Sequence, residues 1–198
     1  MLKKALLILF ISFSAVAAHA QTADEVYNQY LDFNLARLQG EADKALNLGQ
    51  DIIPNADKLK VNVRNNFYYS IGNLFENDGQ SVKAIEYYEK VAAAVPNYYV
   101  VQRALGYQYL KQVDDLSAKI NAAQSDINEN KRLTMLYVAA VKKTLPYLEK
   151  AQACDPNDDT LALIKTLYKN IKDQQGLATL NTRLQGLSKN CIDLLDDK

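Results

Sequence analysis

Ile85 to Asn97 reads IEYYEKVAAAVPN, and sixty residues later Leu145 to Asn157 reads LPYLEKAQACDPN, with six identities in thirteen positions and Pro-Asn closing both copies. Ahead of the first copy, Ile71, Gly72 and Phe75 are echoed by Leu105, Gly106 and Tyr109 at a spacing of thirty-four. Self-similarity at a fixed period of this length marks an array of small structural units, each burying its apolar face against the next. Sixty is thirty-four plus a twenty-six-residue insertion, which falls between Tyr109 and Leu145. The apolar periodicity is helical almost throughout, as in Ala84, Tyr88 and Val91, and no alternating Val/Ile/Thr-rich run argues for a sheet. With 7 glycines and 4 prolines in 198 residues, nothing divides the chain into separate domains.

Counting Asn65 as position 1, the chain places Tyr68 at 4, Ile71 and Gly72 at 7 and 8, Phe75 at 11, Ala84 at 20, Tyr88 at 24, Val91 at 27 and Pro96 at 32. This pattern resembles the tetratricopeptide repeat. The resemblance implies two antiparallel helices, A and B, that approach closely because Gly72 and Ala84 are small, with Tyr68, Phe75 and Tyr88 around the contact. Asp78-Gly79 suits the turn between them, and Pro96 ends helix B because it lacks an amide hydrogen. A second unit starts near Tyr99 and resumes after the insertion as Leu148, Ala151 and Pro156, departing from the pattern at Gln102 and Thr144. Pro146 should kink or restart its helix B.

Two degenerate units flank these. Asn157 to Asp159 can cap a helix in which Leu161, Ile164 and Tyr168 fit positions 4, 7 and 11, with Lys165 in place of the glycine. Leu177, Leu180, Leu184 and Leu187 then mark a last amphipathic helix. Upstream, Tyr30, Phe33, Ala42, Leu46 and Pro54 fit positions 8, 11, 20, 24 and 32. The expected fold is all-α: antiparallel helix-turn-helix repeats stacked as a short right-handed solenoid over residues 21–198, with one extended helical hairpin.

The insertion, about residues 111–136, carries Val113, Leu116, Ile120, Ala123 and Ile127 on one helical stripe, with Leu133, Leu136 and Ala140 as the returning stripe and Ser125 to Asn130 as the tip. Both helices should project beyond their neighbours by roughly 15 to 20 Å. Such a hairpin either closes on itself or serves as a docking arm.

The N-terminus sets the compartment. Lys3 and Lys4 precede the apolar run Ala5 to Ala17, and Ala18-His19-Ala20 has the small-x-small form of a signal-peptidase site. The run is short of the twenty or so residues that a membrane span needs. Residues 1–20 therefore read as a signal peptide, and the protein as periplasmic or secreted, with no transmembrane segment after cleavage. Cleavage leaves 21 basic against 23 acidic side chains, a formal charge of −2, which argues against nucleic acid as a partner.

The sole histidine is His19, so the mature chain has no Ser-His-Asp or Cys-His nucleophilic system and no histidine metal site. There is no Walker loop, GxGxxG or CxxC. The carboxylate pairs Asp114-Asp115 and Asp158-Asp159 suit solvated helix surface and caps. No catalytic residue, metal or cofactor is expected. Cys154 and Cys191 are the only cysteines, and in an oxidising compartment they form either a disulfide or two buried thiols.

The resemblance implies a binding role, through positions 2, 5, 9, 12 and 13 of each helix A on a concave face. In the two clear units these include Tyr69, Asn73 and Asn77, then Arg103, Tyr107 and Lys111. Tyrosine and arginine dominate interface hot spots, and Arg103 offers a planar fork for carboxylates. The function expected is a non-enzymatic scaffold of the bacterial envelope that binds another protein or a peptide segment. The alternative is a structural component that docks or self-assembles, as a homo-oligomer, through the inserted hairpin.

Overall fold

The computed structural model describes residues 21–195, so the expected signal peptide and His19 lie outside the described residues. Among these residues the chain forms four consecutive helical hairpins: α1 (Ala23–Leu38) with α2 (Ala42–Ile52), α3 (Val61–Asn77) with α4 (Ser81–Ala94), α5 (Tyr99–Ala122) with α6 (Ile127–Cys154), and α7 (Asp158–Asn170) with α8 (Gln174–Ala178) and α9 (Leu180–Leu187). A 3-10 turn, Ile53–Lys58, links the first two.

Three of the four hairpins share one turn. In the second, the Gly79 amide donates to the Glu76 carbonyl, Gln80 to Phe75 and Ser81 to Gly79, with Gly79 at φ +75°. The first repeats this with Gly40, also at φ +75°, bonded to Arg37, then Glu41 to Ala36 and Ala42 to Gly40. The fourth repeats it with Lys172 to Lys169, Asp173 to Tyr168 and Gln174 to Lys172. There Lys172 takes the left-handed conformation at φ 57°, a position where a Cβ costs energy and glycine does not.

These shared turns fix the repeat frame. Gly72 lies against the ring of Tyr88, so close that a Cβ on residue 72 would stand 2.8 Å from the ring, with the Ala84 carbonyl oxygen 3.5 Å away. This is the close helix contact expected from the sequence. In the third hairpin Gly106 meets Leu148 in the same way, at 2.6 Å. In the first hairpin the sizes are exchanged. Phe33 stands where α3 has Gly72, and Gly49 stands where α4 has Tyr88, with a Cβ on residue 49 only 3.1 Å from the Phe33 ring.

Anchoring the first unit on Gly40 corrects its sequence alignment. Ala45 and Gly49, not Ala42 and Leu46, occupy the positions of Ala84 and Tyr88, and Ala45 is fully buried while Ala42 is exposed. The turn chemistry decides the register, and a turn of one residue more or less moves every later position.

Three further expectations change. The helix α6 continues through Pro146 without restarting. Pro146 is exposed, while Leu145 and Leu148 beside it are buried and hold the helix by packing. The last amphipathic stripe is two helices, divided at Thr179, whose hydroxyl donates to the Gln175 carbonyl and accepts from Arg183. In the long hairpin Val113, Leu116, Leu133 and Val141 face inward as a closed seam, but Ile127 and Leu136 are exposed. The tip is Ala123 to Asp126, because Asp126 caps α6 through the Glu129 amide and leaves Ile127 on its first turn. Helix α5 runs eleven residues past Lys111, the equivalent of the end of α3, a projection of about 16 Å at 1.5 Å per residue.

Candidate functional site

The six residues expected on the inner face divide into two groups. On α3, Tyr69 is half-buried, its ring edge-on to Tyr98 with centroids 5.3 Å apart, while Asn73 and Asn77 are exposed and bonded to each other at 3.2 Å. On α5, the Arg103 guanidinium pairs with Asp155 and lies over the Tyr99 ring at 5.5 Å. The Tyr107 hydroxyl shares a hydrogen bond of 3.0 Å with Thr160, and Lys111 reaches Gln108 at 3.1 Å.

Asp155 caps the end of α6, so Arg103 ties α5 to the end of its own partner helix, whereas Thr160 lies in the first turn of α7 and Tyr107 joins the third hairpin to the fourth. The fork of Arg103 is filled from within the chain, and an acidic ligand there has to displace Asp155. What this face leaves exposed is polar: Asn73, Asn77, part of Tyr107 and the Lys111 ammonium, whose partner Gln108 is neutral.

A surface that the sequence reading passed over lies on α1. Tyr27, Leu31, Leu35 and Leu38 are 45% to 77% exposed. Their spacing of four, four and three residues puts them within one arc of about 80° at 100° per residue. By the shared turns, Leu31 and Leu35 are equivalent to Ser70 and Leu74 on α3, and Leu35 is equivalent to Leu167 on α7. Those three are buried, because the preceding hairpin packs on them. No hairpin precedes α1 among the described residues. Asp32, exposed, stands where Ile71 and Ile164 are fully buried, so the same face also carries an acid. The signal was present in the sequence: a leucine stripe opposite the buried stripe Val26, Tyr30 and Phe33.

Buried charge is confined to the joints between units. Glu149 accepts two bonds from Arg183, at 2.9 and 2.7 Å, and one from the Tyr168 hydroxyl. Arg183 also donates to the Gly176 carbonyl and lies over the Tyr168 ring. Every group in this set is satisfied, and burial together with the Glu149 carboxylate holds the Tyr168 phenol well above its usual range. Lys150, almost fully buried, donates to the Asn97 side chain at 3.1 Å and to the carbonyls of Leu187 and Lys189 at 2.9 and 3.5 Å. It supplies a cation to the C-terminal end of α9, where the helix dipole favours one. Desolvation pushes its ammonium pKa down.

The sulfurs of Cys154 and Cys191 are bonded, with Cα atoms 5.6 Å apart. Asp114-Asp115 and Asp158-Asp159 are exposed, the second pair in the first turn of α7, where Asn157 caps the Thr160 amide. Among the described residues no group of three or more His, Cys, Asp or Glu could hold a metal ion, and no helix is long and apolar enough to cross a membrane.

No family model matches the chain, and no curated protein sequence does. Among solved structures it is similar to a kinesin light chain of Podosopora anserina with nearly identical TPR-like repeats. The two share 15% identity over 85% of this chain and 97% of the other, with a TM-score of 0.36. The repeat assignment rests on the turns and close contacts inside the chain.

Proposed function

We propose that this protein is a non-enzymatic scaffold that binds a helical segment of another protein, using the uncovered face of α1 and the neighbouring inner face of the A helices. The observation that carries this reading is the exposed stripe Tyr27, Leu31, Leu35 and Leu38. The positions equivalent to Leu31 and Leu35 at the centre of the stripe are buried under a neighbouring helix at Ser70, Leu74 and Leu167, so a helix is the occupant whose shape fits. Repeat arrays present extended surfaces of this kind, and aromatic and leucine side chains supply apolar area for docking. Asp32 beside the stripe favours a segment with a basic flank.

The compartment proposed is the periplasm or the exterior, on the N-terminal sequence pattern. Protein recovered from the exported fraction of a Gram-negative cell should begin at Gln21 by mass spectrometry, and retention of residues 1–20 counts against this. To test binding, a photo-crosslinking residue at Leu38 in the native cell should give a discrete protein adduct, while one at exposed Val82 on α4 should not. Leu31→Glu with Leu35→Glu should abolish the adduct. An adduct that survives this pair of substitutions places the binding surface elsewhere.

A second reading, self-association through the long hairpin, is favoured by exposed Ile127, Met135 and Leu136 near its tip. Sedimentation of the Ile127→Ser, Met135→Ser double variant tests it: a wild-type oligomer that becomes monomeric supports the hairpin role, and an unchanged state removes it.

A further inference from the structure

Beyond α9 the chain turns back on the array. Cys191 is bonded to Cys154 at the end of α6, and Ile192 then runs beside the segment that enters α5. The Ile192 amide donates to the Asn97 carbonyl at 2.9 Å, and the Tyr99 amide donates to the Ile192 carbonyl at 3.1 Å. This is one rung of parallel pairing, in a protein whose described residues otherwise contain no strand pairing. Leu195 packs against the core that runs from the first hairpin into α5, and Ile192, Leu194 and Leu195 border a slot of about 200 Å³ with Asn62, Asn65 and Val95. The tail thus crosses from the fourth hairpin to the second, along the edge where B helices end and A helices begin.

Its grip on that edge is weak in itself. Leu194 is 78% exposed. Two backbone hydrogen bonds contribute only about 1 kcal/mol each in net terms. What keeps the tail in place is its tether: the Cys154–Cys191 bond, and the Lys150 ammonium on the carbonyls of Leu187 and Lys189. A short tether raises the local concentration of a segment to the millimolar range, enough to hold a weak ligand. Apart from the tail, the edge offers the Asn97 carbonyl, the Tyr99 amide, Val95 between Asn62 and Asn65, and the core surface on which Leu195 packs. None of these is specific to a tethered segment.

We infer that this edge is a docking site for an extended segment of another protein with the pattern aliphatic, any residue, any residue, aliphatic, and that residues 192–195 of the chain itself occupy it in cis. The backbone of such a segment pairs with Asn97 and Tyr99, and its last aliphatic side chain takes the place of Leu195. Strand addition of this type draws affinity from main-chain hydrogen bonds and specificity from alternate side chains. The site is separate from the α1 face, and the two stand or fall independently.

The test uses the full-length protein and a fluorescent synthetic peptide of residues 189–195 with Cys191→Ser. In wild-type protein the tail competes and the peptide binds weakly. The full-length Ile192→Ser, Leu194→Ser, Leu195→Ser variant keeps the disulfide but vacates the edge, and should bind the peptide at least tenfold more tightly by fluorescence anisotropy. Adding Val95→Arg to that variant should remove the gain, whereas adding Leu31→Glu and Leu35→Glu should leave it intact. A folded triple variant that binds no better than wild type, or whose gain is indifferent to Val95→Arg, overturns the inference. If the triple variant does not fold, full-length Cys154→Ser, Cys191→Ser gives the same comparison. Its untethered tail should admit the peptide and speed hydrogen exchange at the Tyr99 amide, and an unchanged affinity overturns the inference equally.

Discussion

Tyr168 on α7 donates its hydroxyl hydrogen to Glu149 on α6, which belongs to the preceding unit. One unit earlier Tyr109 on α5 does the same to Glu89 on α4. In both cases a cation lies over the tyrosine ring, Arg183 over Tyr168 and Lys143 over Tyr109, and also pairs with the glutamate. The joint is a repeated device: the aromatic at position 11 reaches back to an acid beside position 24 of the helix before it. It is absent between the first two hairpins, where Phe75 has no hydroxyl and Gln50 stands at the place of the acid.

The two joints differ in burial, and so in energy. Glu149 is buried, and removing it leaves the Arg183 charge without its carboxylate. Glu149→Ala should cost roughly 3 kcal/mol, against at most about 1 kcal/mol for Glu89→Ala at the exposed joint. Chemical denaturation of the two variants compares them directly. Equal losses would show that burial does not set the strength of the joint.

Burial raises several phenols: Tyr87 is pushed up to about 12, and Tyr88, Tyr98, Tyr109 and Tyr168 are raised further, each chiefly by desolvation. A phenol whose folded-state pKa lies above its unfolded value of about 10 keeps its proton in the native state while the unfolded chain loses it. The stability it contributes is complete below about pH 10 and is lost as pH rises beyond it. Denaturation midpoints should therefore be insensitive to tyrosine ionisation at pH 8 to 9 and fall steeply from about pH 10 upward. A flat profile to pH 12 contradicts this account.

Glycine substitutions should have opposite signs at two positions. Gly72→Ala forces a methyl against Tyr88, whose ring is held by a 2.7 Å bond from its hydroxyl to Glu76, and should destabilise by about 1 to 3 kcal/mol. Gly186→Ala, inside α9 with open space at the Cβ position, should stabilise by about 0.5 to 1 kcal/mol. Thermal melts of both variants decide whether the helix contact is as close as described.

The Cys154–Cys191 bond closes a loop with a sequence separation of 37, for which chain entropy gives up to about 4 kcal/mol. A reducing agent should lower the melting temperature of the wild type and leave that of Cys154→Ser, Cys191→Ser unchanged. Free thiols found by alkylation of the unreduced protein would remove the bridge.

The parts of the fold that were legible in the sequence are those set by local rules. Gly72, Ala84 and Tyr88 announce a close helix contact through size and spacing, and Asp78-Gly79 announces a turn. The first unit was misplaced by three residues because its large and small residues are exchanged: a pattern that expects an aromatic at position 11 and alanine at 20 takes Phe33 and Ala42 for them, whereas Ala36 and Ala45 stand there. Lys172 hid the last turn, since its left-handed backbone is imposed by the chain around it and not by its own preference. The inner-face residues were legible as positions but not as states. Whether Arg103 is free depends on Asp155, fifty-two residues away, and no local pattern reports that pairing. The α1 face went unread for the opposite reason: its leucines fit a helix anywhere, and only comparison with covered equivalents shows that they lack a cover.

The exchange of Phe33 with Gly49 against Gly72 with Tyr88 makes the hairpins mutually exclusive. Were α1 to pair with α4, two large rings would meet at one point, and were α3 to pair with α2, two glycines would leave a void. Each mistake pairs two residues of like size where the native contact needs one large and one small. Between the first two hairpins, therefore, each A helix accepts its own B helix and rejects its neighbour's, which gives folding a check on register at this joint.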